Sequence, residues 1–471
     1  MGNRRFIGIT HSACSKCRTL VPSRISCTDD AVYSLKFCKE HGQEEVVIYG
    51  DPADYLSRRR FVKPAVTPER FFGNSELPCP DGCGFCSRHE QHLCMPIFEI
   101  TEHCNLACPI CLNSSGGGKD CSPDEFRTML DKIFEAEKQI DVMNLSGGEP
   151  LLHPQLLELI DEALSRSGVV RVSISTNGLE FIDNPELVHE LKKRDVVISL
   201  QFDGDDDNIY RVLRGRPLLA EKLKIIDILS DADISMSLTM TIMKGLNENA
   251  VKDGLDLLFS HDNIVSLMIQ PAAFVGRGAG LKKDYSRISI PEIIDKLELH
   301  GKLRVGRRHF IPLPCSHPQC FSLAYYLKLN SGAFISITDF TDIAGSLDAM
   351  SNRVVFGLDP SEHSKLKEMI YDLWSGPAAM VPESEQVLKT LKNILQSFPS
   401  SQQGCNCFNP RKAFGMMERR VKSVFIHAFQ DADTFDLERA RRCCHAYPQS
   451  DGTLVPACVR NVMRLDGKDQ S

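Results

Sequence analysis

Tryptophan occurs once in this chain of 471 residues, and aromatic residues make up only 7% of it. No stretch of about 18 uncharged apolar residues is present, so the pattern excludes an ordinary membrane-spanning helix. Charge of one sign is not in large excess. The 55 Lys and Arg against 62 Asp and Glu leave a net charge of -7, which gives no global reason to expect a nucleic-acid partner. A secretory leader is also missing from the pattern, because Met1-Gly-Asn-Arg-Arg-Phe-Ile-Gly reaches His11 and Cys14 before a long enough apolar core develops. Gly2 lacks the Ser or Thr that N-myristoylation uses, since Phe6 stands at that position. A lipid substrate would therefore have to be met by peripheral membrane contact.

Cysteine, in contrast, is plentiful, with 19 residues. They are too thinly spread for a small disulfide scaffold and fall in tight groups with metal-ligand spacing, which points to a reducing, cytoplasmic setting. The most informative group is Cys104, Cys108 and Cys111, in Phe98-Glu-Ile-Thr-Glu-His-Cys-Asn-Leu-Ala-Cys-Pro-Ile-Cys. Three thiolates on one short loop can hold three irons of a [4Fe-4S] cluster and leave the fourth open to a small molecule. Taken alone, the triplet also suits zinc or a set of buried thiols.

The chain divides into three regions. Residues 1–95 are turn-rich and cysteine-bearing, with little room for a large apolar core, so metal is expected to hold them together. Residues 96–290 alternate apolar strand-like runs (Ile97 to Thr101, Val142 to Leu145, Val169 to Ser175, Val196 to Phe202, Ile234 to Thr241, Val265 to Gln270) with amphipathic stretches. That alternation predicts an α/β fold with a parallel sheet, helices falling at Pro123 to Lys138, Pro154 to Ser165, Pro185 to Lys193, Pro217 to Leu229 and Glu248 to Phe259. Four of these helices begin with Pro, which suits the first helical turn. Residues 291–471 read as helical and carry the remaining cysteines.

Two kinds of candidate site residue sit at strand ends, where parallel barrels place their chemistry. Ser146-Gly147-Gly148-Glu149-Pro150 follows the second strand, and paired glycines let backbone approach a ligand closely, although Gly-Gly and Pro also punctuate ordinary turns. Ser175 and Asn177 end the third strand, and Gln201 and Asp203 the fourth. Their hydroxyl, amide and carboxyl groups could bond ribose hydroxyls and a carboxylate, or merely close the strands as polar turn residues.

The CxxxCxxC loop followed by Gly-Gly-Glu-Pro resembles the radical S-adenosylmethionine (radical SAM) enzymes. The resemblance implies a partial (β/α)6 barrel, since six units are too few for a closed eight-stranded one. It implies that Cys104, Cys108 and Cys111 bind a [4Fe-4S] cluster and that the open iron chelates S-adenosylmethionine. Gly147, Gly148, Glu149 and Pro150 would receive its amino group, and Ser175, Asn177, Gln201 and Asp203 its ribose and carboxylate. An electron from a donor such as flavodoxin or ferredoxin would then cleave the cofactor to a 5′-deoxyadenosyl radical, which takes hydrogen from an unactivated carbon.

Further metal sites are expected. Cys79, Cys83, Cys86 and Cys94 lie within sixteen residues and suit a second cluster or a mononuclear zinc or iron. Cys14, Cys17 and Cys38 form a knuckle completed by His41, which suits zinc, or by Cys27, which suits a rubredoxin-like iron. Cys315, Cys320, Cys443, Cys444 and Cys458 supply enough ligands for an additional cluster, with Cys405 and Cys407 as a runner-up pair. Cys121 reads as a packing residue.

The order of these motifs, with Phe435-Asp-Leu-Glu-Arg-Ala-Arg-Arg-Cys-Cys near the end, resembles the 7,8-dihydro-6-hydroxymethylpterin dimethyltransferase-like group, which includes tetraether lipid synthases. The resemblance implies C-methylation of a pterin-like substrate or coupling of lipid alkyl chains. The lipid reaction would need a long apolar channel, for which Phe321 to Leu329 and Val421 to Phe429 offer lining if they are not simply core helices. A non-enzymatic metal scaffold would explain the knuckles but not the open triplet and the barrel alternation.

Overall fold

The N-terminal residues form strands without an obvious hydrophobic face. In the computed structural model, which describes residues 4–112, 118–299, 305–313, 316–341, 383–397 and 418–463, they make an antiparallel sheet. Its strands are β1 (Arg5–Ala13), β2 (Leu20–Cys27), β3 (Val32–Cys38) and β4 (Gly42–Tyr49), paired in that order. Ile25, Cys27, Val32 and Tyr49 join the main apolar core, and five further inward positions are polar: Thr10, Ser12, Ser23, Ser34 and Lys36 are buried. Each finds a partner, as buried polar groups must. Ser23 and Ser34 bond each other at 2.7 Å. Thr10 donates to the Asp436 carboxylate at 2.6 Å, Ser12 to the Phe435 carbonyl at 2.6 Å, and Lys36 to the carbonyls of Ala13 and Ala432 at 2.9 and 2.7 Å. The sheet is thus docked on a loop near the C-terminus rather than on a core of its own.

The β-branched runs expected as strands form β5 (Met95–Thr101), β6 (Ile140–Gly147), β7 (Val169–Thr176), β8 (Val197–Gln201), β9 (Met236–Ile242) and β10 (Ile264–Pro271). All six pair in parallel, in sequence order. Helices at Pro123–Ala136, Leu156–Ser165, Pro185–Lys193, Leu219–Asp231 and Val251–Ser260 agree with the expected positions. The first is set by a capping box in which Ser122 and Glu125 satisfy each other's backbone N–H groups. Among the helices outside the expected list is Asp207–Arg214; Asp206 caps its start and Gly215, at φ 87°, ends it.

The region after residue 290 departs from the helical expectation. Its described residues add β11 (Phe321–Lys328), β12 (Phe334–Ser336), β13 (Val421–His427), β14 (His445–Pro448) and β15 (Leu454–Pro456) to the same sheet, in the order β12-β11-β13-β10-β9-β8-β7-β6-β5-β14-β15. The two apolar runs weighed as core helices or channel lining are therefore the neighbouring antiparallel strands β11 and β13. A short, fully buried apolar run has no periodicity that separates strand from helix, and here sheet pairing decides. β13 runs parallel to β10 and β14 parallel to β5, so the C-terminal region extends both edges of the six-stranded core. Those edges meet: the Phe321 and His427 rings lie 5.3 and 5.1 Å from His445. Among the described residues no helix is long and apolar enough to cross a membrane.

Candidate functional site

The loop that leaves β5 carries the cysteine triplet. Its start is fixed by Thr101, whose hydroxyl donates to Asp120 at 2.6 Å and accepts from the His103 N–H at 3.0 Å. The Leu106 N–H points at the Cys104 sulfur at 3.4 Å, and the Cys111 N–H donates to the Cys108 carbonyl at 3.2 Å. Cys104 is exposed as a residue, yet burial of its sulfur, together with Glu149, Cys108 and Cys111, raises its thiol above the ordinary value. Three thiols on one short loop can supply the three ligands of a thiolate-ligated iron cluster.

Four neighbouring strand ends hold this loop. At β6, Gly147 lies at φ 130°, and a Cβ on Gly147 or Gly148 would meet the carbonyls of Thr101 and His103 well inside 3.0 Å. The Gly148 and Glu149 N–H groups donate to those same carbonyls at 2.7 Å each. At β7, the Asn177 amide donates to Asn105 at 2.7 Å. Beyond β8, the Ile110 N–H donates to the Leu213 carbonyl at 3.3 Å. After β10, Gly276 comes close to the Cys111 and Leu112 carbonyls. Gly148→Ala is accordingly expected to displace the cysteine loop, because its neighbours are backbone atoms that cannot turn aside. Misplacement of about 1 Å costs about a hundredfold, so cleavage of S-adenosylmethionine should slow by that order; a wild-type rate would contradict the packing argument.

The N-terminal sheet gathers a second site. Cys14, Cys17, Cys38 and His41 present ligand atoms all within 4.8 Å of one another. The Cys17 and Cys38 sulfurs are 3.8 Å apart, and His41 Nδ1 is 3.6 Å from both Cys14 and Cys38. Tetrahedral zinc with bonds of about 2.3 Å places its ligands about 3.8 Å apart, so the set fits a Cys3His site. The Thr19 hydroxyl holds the Cys17 thiol down to about 6, toward the thiolate that binds metal. Cys27 is not in this group. It ends β2, opposite Val32 and Arg5, and is buried in the main apolar core.

Residues 98–258 match the model of the radical SAM superfamily. The chain carries a radical SAM domain. Residues 6–50 match the model described as the HMPTM N-terminal zinc ribbon domain. The chain is 26% identical to the 7,8-dihydro-6-hydroxymethylpterin dimethyltransferase of Methanocaldococcus jannaschii, over 96% of this chain and 93% of that protein. It is also 26% identical to the GTP 3',8-cyclase of Staphylococcus haemolyticus, over 56% of this chain and 75% of that one. Among solved structures, SuiB of Streptococcus suis bound to S-adenosylmethionine is similar at 13% identity and a TM-score of 0.38, covering 44% of this chain and 47% of that one.

Radical SAM proteins use a [4Fe-4S] cluster and S-adenosylmethionine. The residues at the mouth of this domain divide into those turned to its interior and those left available. Glu149 is turned inward. Its carboxylate is buried and accepts from the Thr176 hydroxyl at 2.6 Å and from the N–H groups of Asn177 and Leu151 at 2.8 and 3.1 Å. Pro150 is buried beside it and opens a short 3-10 turn. Asp203 is fully buried too, bonded by Arg214 at 2.8 and 2.9 Å, by the Thr241 N–H at 3.0 Å and by the Gln201 amide. The Glu149 and Asp203 carboxylates are thus each engaged by groups of the protein itself. Ser175 donates to Asn144 at 3.0 Å and is half-buried. Among the described residues the buried Gln201 Oε1 has no hydrogen-bond partner, an acceptor that a hydroxyl donor from a bound cofactor would satisfy.

Arg214 and Lys222 were absent from the sequence reading. Lys222 is fully buried, donates to the Asn177 carbonyl, and is pulled down to about 7 by burial and the Arg214 charge. A signal existed, because Lys222 occupies an apolar position of its helix, in register with the buried Ile225, Ile226 and Leu229.

Four further cysteines collect at the seam where the sheet edges meet. Cys320, Cys443, Cys444 and Cys458 line one cavity with Arg439 and His427. Burial and neighbouring thiols push Cys443 well up and Cys458 up to about 11. Arg439 Nε donates to the Cys320 sulfur at 3.4 Å. Cys315, Cys405 and Cys407 lie outside the described residues. The expected box of Cys79, Cys83, Cys86 and Cys94 is divided. Cys94 opens β5, whose start pairs with the Cys444 segment, so Cys94 is carried to the seam and packs with Cys320, Cys444 and Phe321. Among the described residues only the N-terminal four draw together tightly enough for a single metal ion.

Proposed function

We propose that this protein is a radical SAM C-methyltransferase acting on a pterin-like substrate. The observation that carries this reading is the match to the 7,8-dihydro-6-hydroxymethylpterin dimethyltransferase, which runs along 96% of the chain and so includes the metal-binding sheet and the C-terminal strands as well as the radical SAM domain. Three regions divide the work: residues 1–95 bind metal, 96–290 bind the cluster and cofactor, and 291–471 complete the sheet and hold a further cluster through cysteines at the seam.

Cys104, Cys108 and Cys111 hold three irons of the cluster. Backbone of Gly147 and Gly148, with Ser175, Asn177 and Gln201, surrounds the cofactor, while Glu149, Pro150 and Asp203 keep those groups in place. When bound, the cluster and S-adenosylmethionine supply a reactive alkyl radical that takes hydrogen from carbon. The protein's own part is to orient the substrate carbon and to exclude water and competing hydrogen donors. A flavodoxin or ferredoxin provides electrons, and a separate one-carbon donor provides the methyl carbon.

The test is anaerobic incubation of the fully reconstituted protein with reductant, S-adenosylmethionine, a methylene or methyl donor and 7,8-dihydro-6-hydroxymethylpterin. A pterin heavier by one or two methyl groups is the expected mass-spectrometric result. Cofactor cleavage with no change in the pterin would reject the substrate and leave the radical SAM assignment standing.

A further inference from the structure

A helix that sequence reading missed, Asp207–Arg214, delivers a charge to the cysteine loop. Its last turn lies against residues 107–110: the Leu213 carbonyl accepts from the Ile110 N–H at 3.3 Å, and a Cβ at Gly215 would stand 3.7 Å from Pro109 Cδ and 3.8 Å from the Ala107 carbonyl. Arg214 therefore emerges beside Cys108, and the Cys108 sulfur is among the groups that act electrostatically on its guanidinium. The group is held on its other side. Nε and Nη2 donate to the two Asp203 oxygens at 2.8 and 2.9 Å, and Nη2 also donates to Thr241 Oγ1 at 3.2 Å. Asp203 is itself fixed by the Thr241 N–H at 3.0 Å. A bidentate pair leaves the guanidinium little freedom to swing away.

We propose that Arg214 is a fixed positive charge that raises the reduction potential of the cluster on Cys104, Cys108 and Cys111, acting through the Cys108 sulfur. This rests on the cluster reading given above. An added electron increases the negative charge of the cluster, so a cation and an N–H donor beside one ligand sulfur favour the reduced form. The Arg214 side chain is only 12% exposed, so water and salt screen this charge weakly. Asp203 lies behind the guanidinium and offsets part of its charge while setting its position. Arg214 is thus a positioning and tuning residue for the cluster.

The experiment is a redox titration followed by electron paramagnetic resonance, without S-adenosylmethionine, on the full chain and on Arg214→Gln and Arg214→Lys. Iron and sulfide content report whether the cluster is present. Arg214→Gln with a full cluster is expected to show at least a tenfold lower ratio of reduced to oxidised cluster at the wild-type midpoint, about 59 mV for one electron. Arg214→Lys keeps the charge and should shift less. In the unaltered protein labelled with guanidino-15N arginine, pulsed resonance should detect a 15N coupling to the reduced cluster that Arg214→Lys removes. An unchanged midpoint in a fully loaded Arg214→Gln protein overturns the proposal, even if cofactor affinity falls. If Arg214→Gln does not retain its cluster, the missing 15N coupling in the unaltered protein overturns it instead. Absence of any cluster in the unaltered protein overturns this proposal and the proposed function together.

Discussion

Cys104→Ala protein, reconstituted under anaerobic conditions and reduced with dithionite, is expected to release no 5′-deoxyadenosine from S-adenosylmethionine above the background without protein. Cys104 is the exposed member of the triplet, and its thiol is raised above the ordinary value chiefly by burial of the sulfur. Alanine removes one of three iron ligands and cannot be replaced locally, because the loop is tied down on four sides by backbone contacts. Loss of one ligand from a site that already leaves one iron open is expected to destroy the cluster rather than retune it. Cys121 provides the control. It is half-buried, its thiol is pushed up to about 11 chiefly by burial, and its N–H donates to the Ile100 carbonyl at 2.8 Å. Cys121→Ala should therefore keep cofactor cleavage, and equal loss in both variants would point to misfolding in place of ligation.

Cys38→Ser is expected to release one zinc and unfold β1 to β4. Ile25, Cys27, Val32 and Tyr49 of this sheet join the main core, but much of the rest of its inward face is Ser, Thr and Lys, which contribute little hydrophobic stabilisation. Structural zinc contributes about 10–16 kcal/mol of apparent binding free energy in small folded units, comparable with the whole stability of about 5–15 kcal/mol of an ordinary domain. Removing a ligand should thus melt the sheet outright. The loss should spread, because Thr10, Ser12 and Lys36 donate to residues 432–436. Hydrogen exchange is expected to show lost protection in β1 to β4 and in the 430–437 segment, with β6 to β9 unchanged. Retained protection in β1 to β4 would show that the sheet stands without metal.

The six central strands were legible because each is a β-branched run between turn signals, and the triplet because its spacing has few other uses. The N-terminal sheet was not, since Thr10, Ser12, Ser23 and Ser34 face inward and erase the apolar alternation that marks a strand. The choice between Cys27 and His41 needed the β2–β3 register, which turns Cys27 into the core and leaves His41 at the turn with Cys38. Strands β11 and β13 needed their pairing with β10. The partners of Glu149 and Asp203 were not legible, since nothing in the spacing of a carboxylate in a turn announces a bond from Thr176 or Arg214. Arg214 itself had no sequence signal, because an arginine at the end of a short helix usually faces solvent.

The proposed chemistry depends on an iron open to a small molecule at Cys104, Cys108 and Cys111. The most direct measurement is electron paramagnetic resonance of the reduced, reconstituted protein with and without S-adenosylmethionine, using cofactor labelled with 15N at the methionine amino group. A change in the cluster signal on addition, with hyperfine coupling from the labelled nitrogen, is the predicted result. A cluster signal that the cofactor leaves unchanged, or no cluster signal dependent on Cys104, would contradict it.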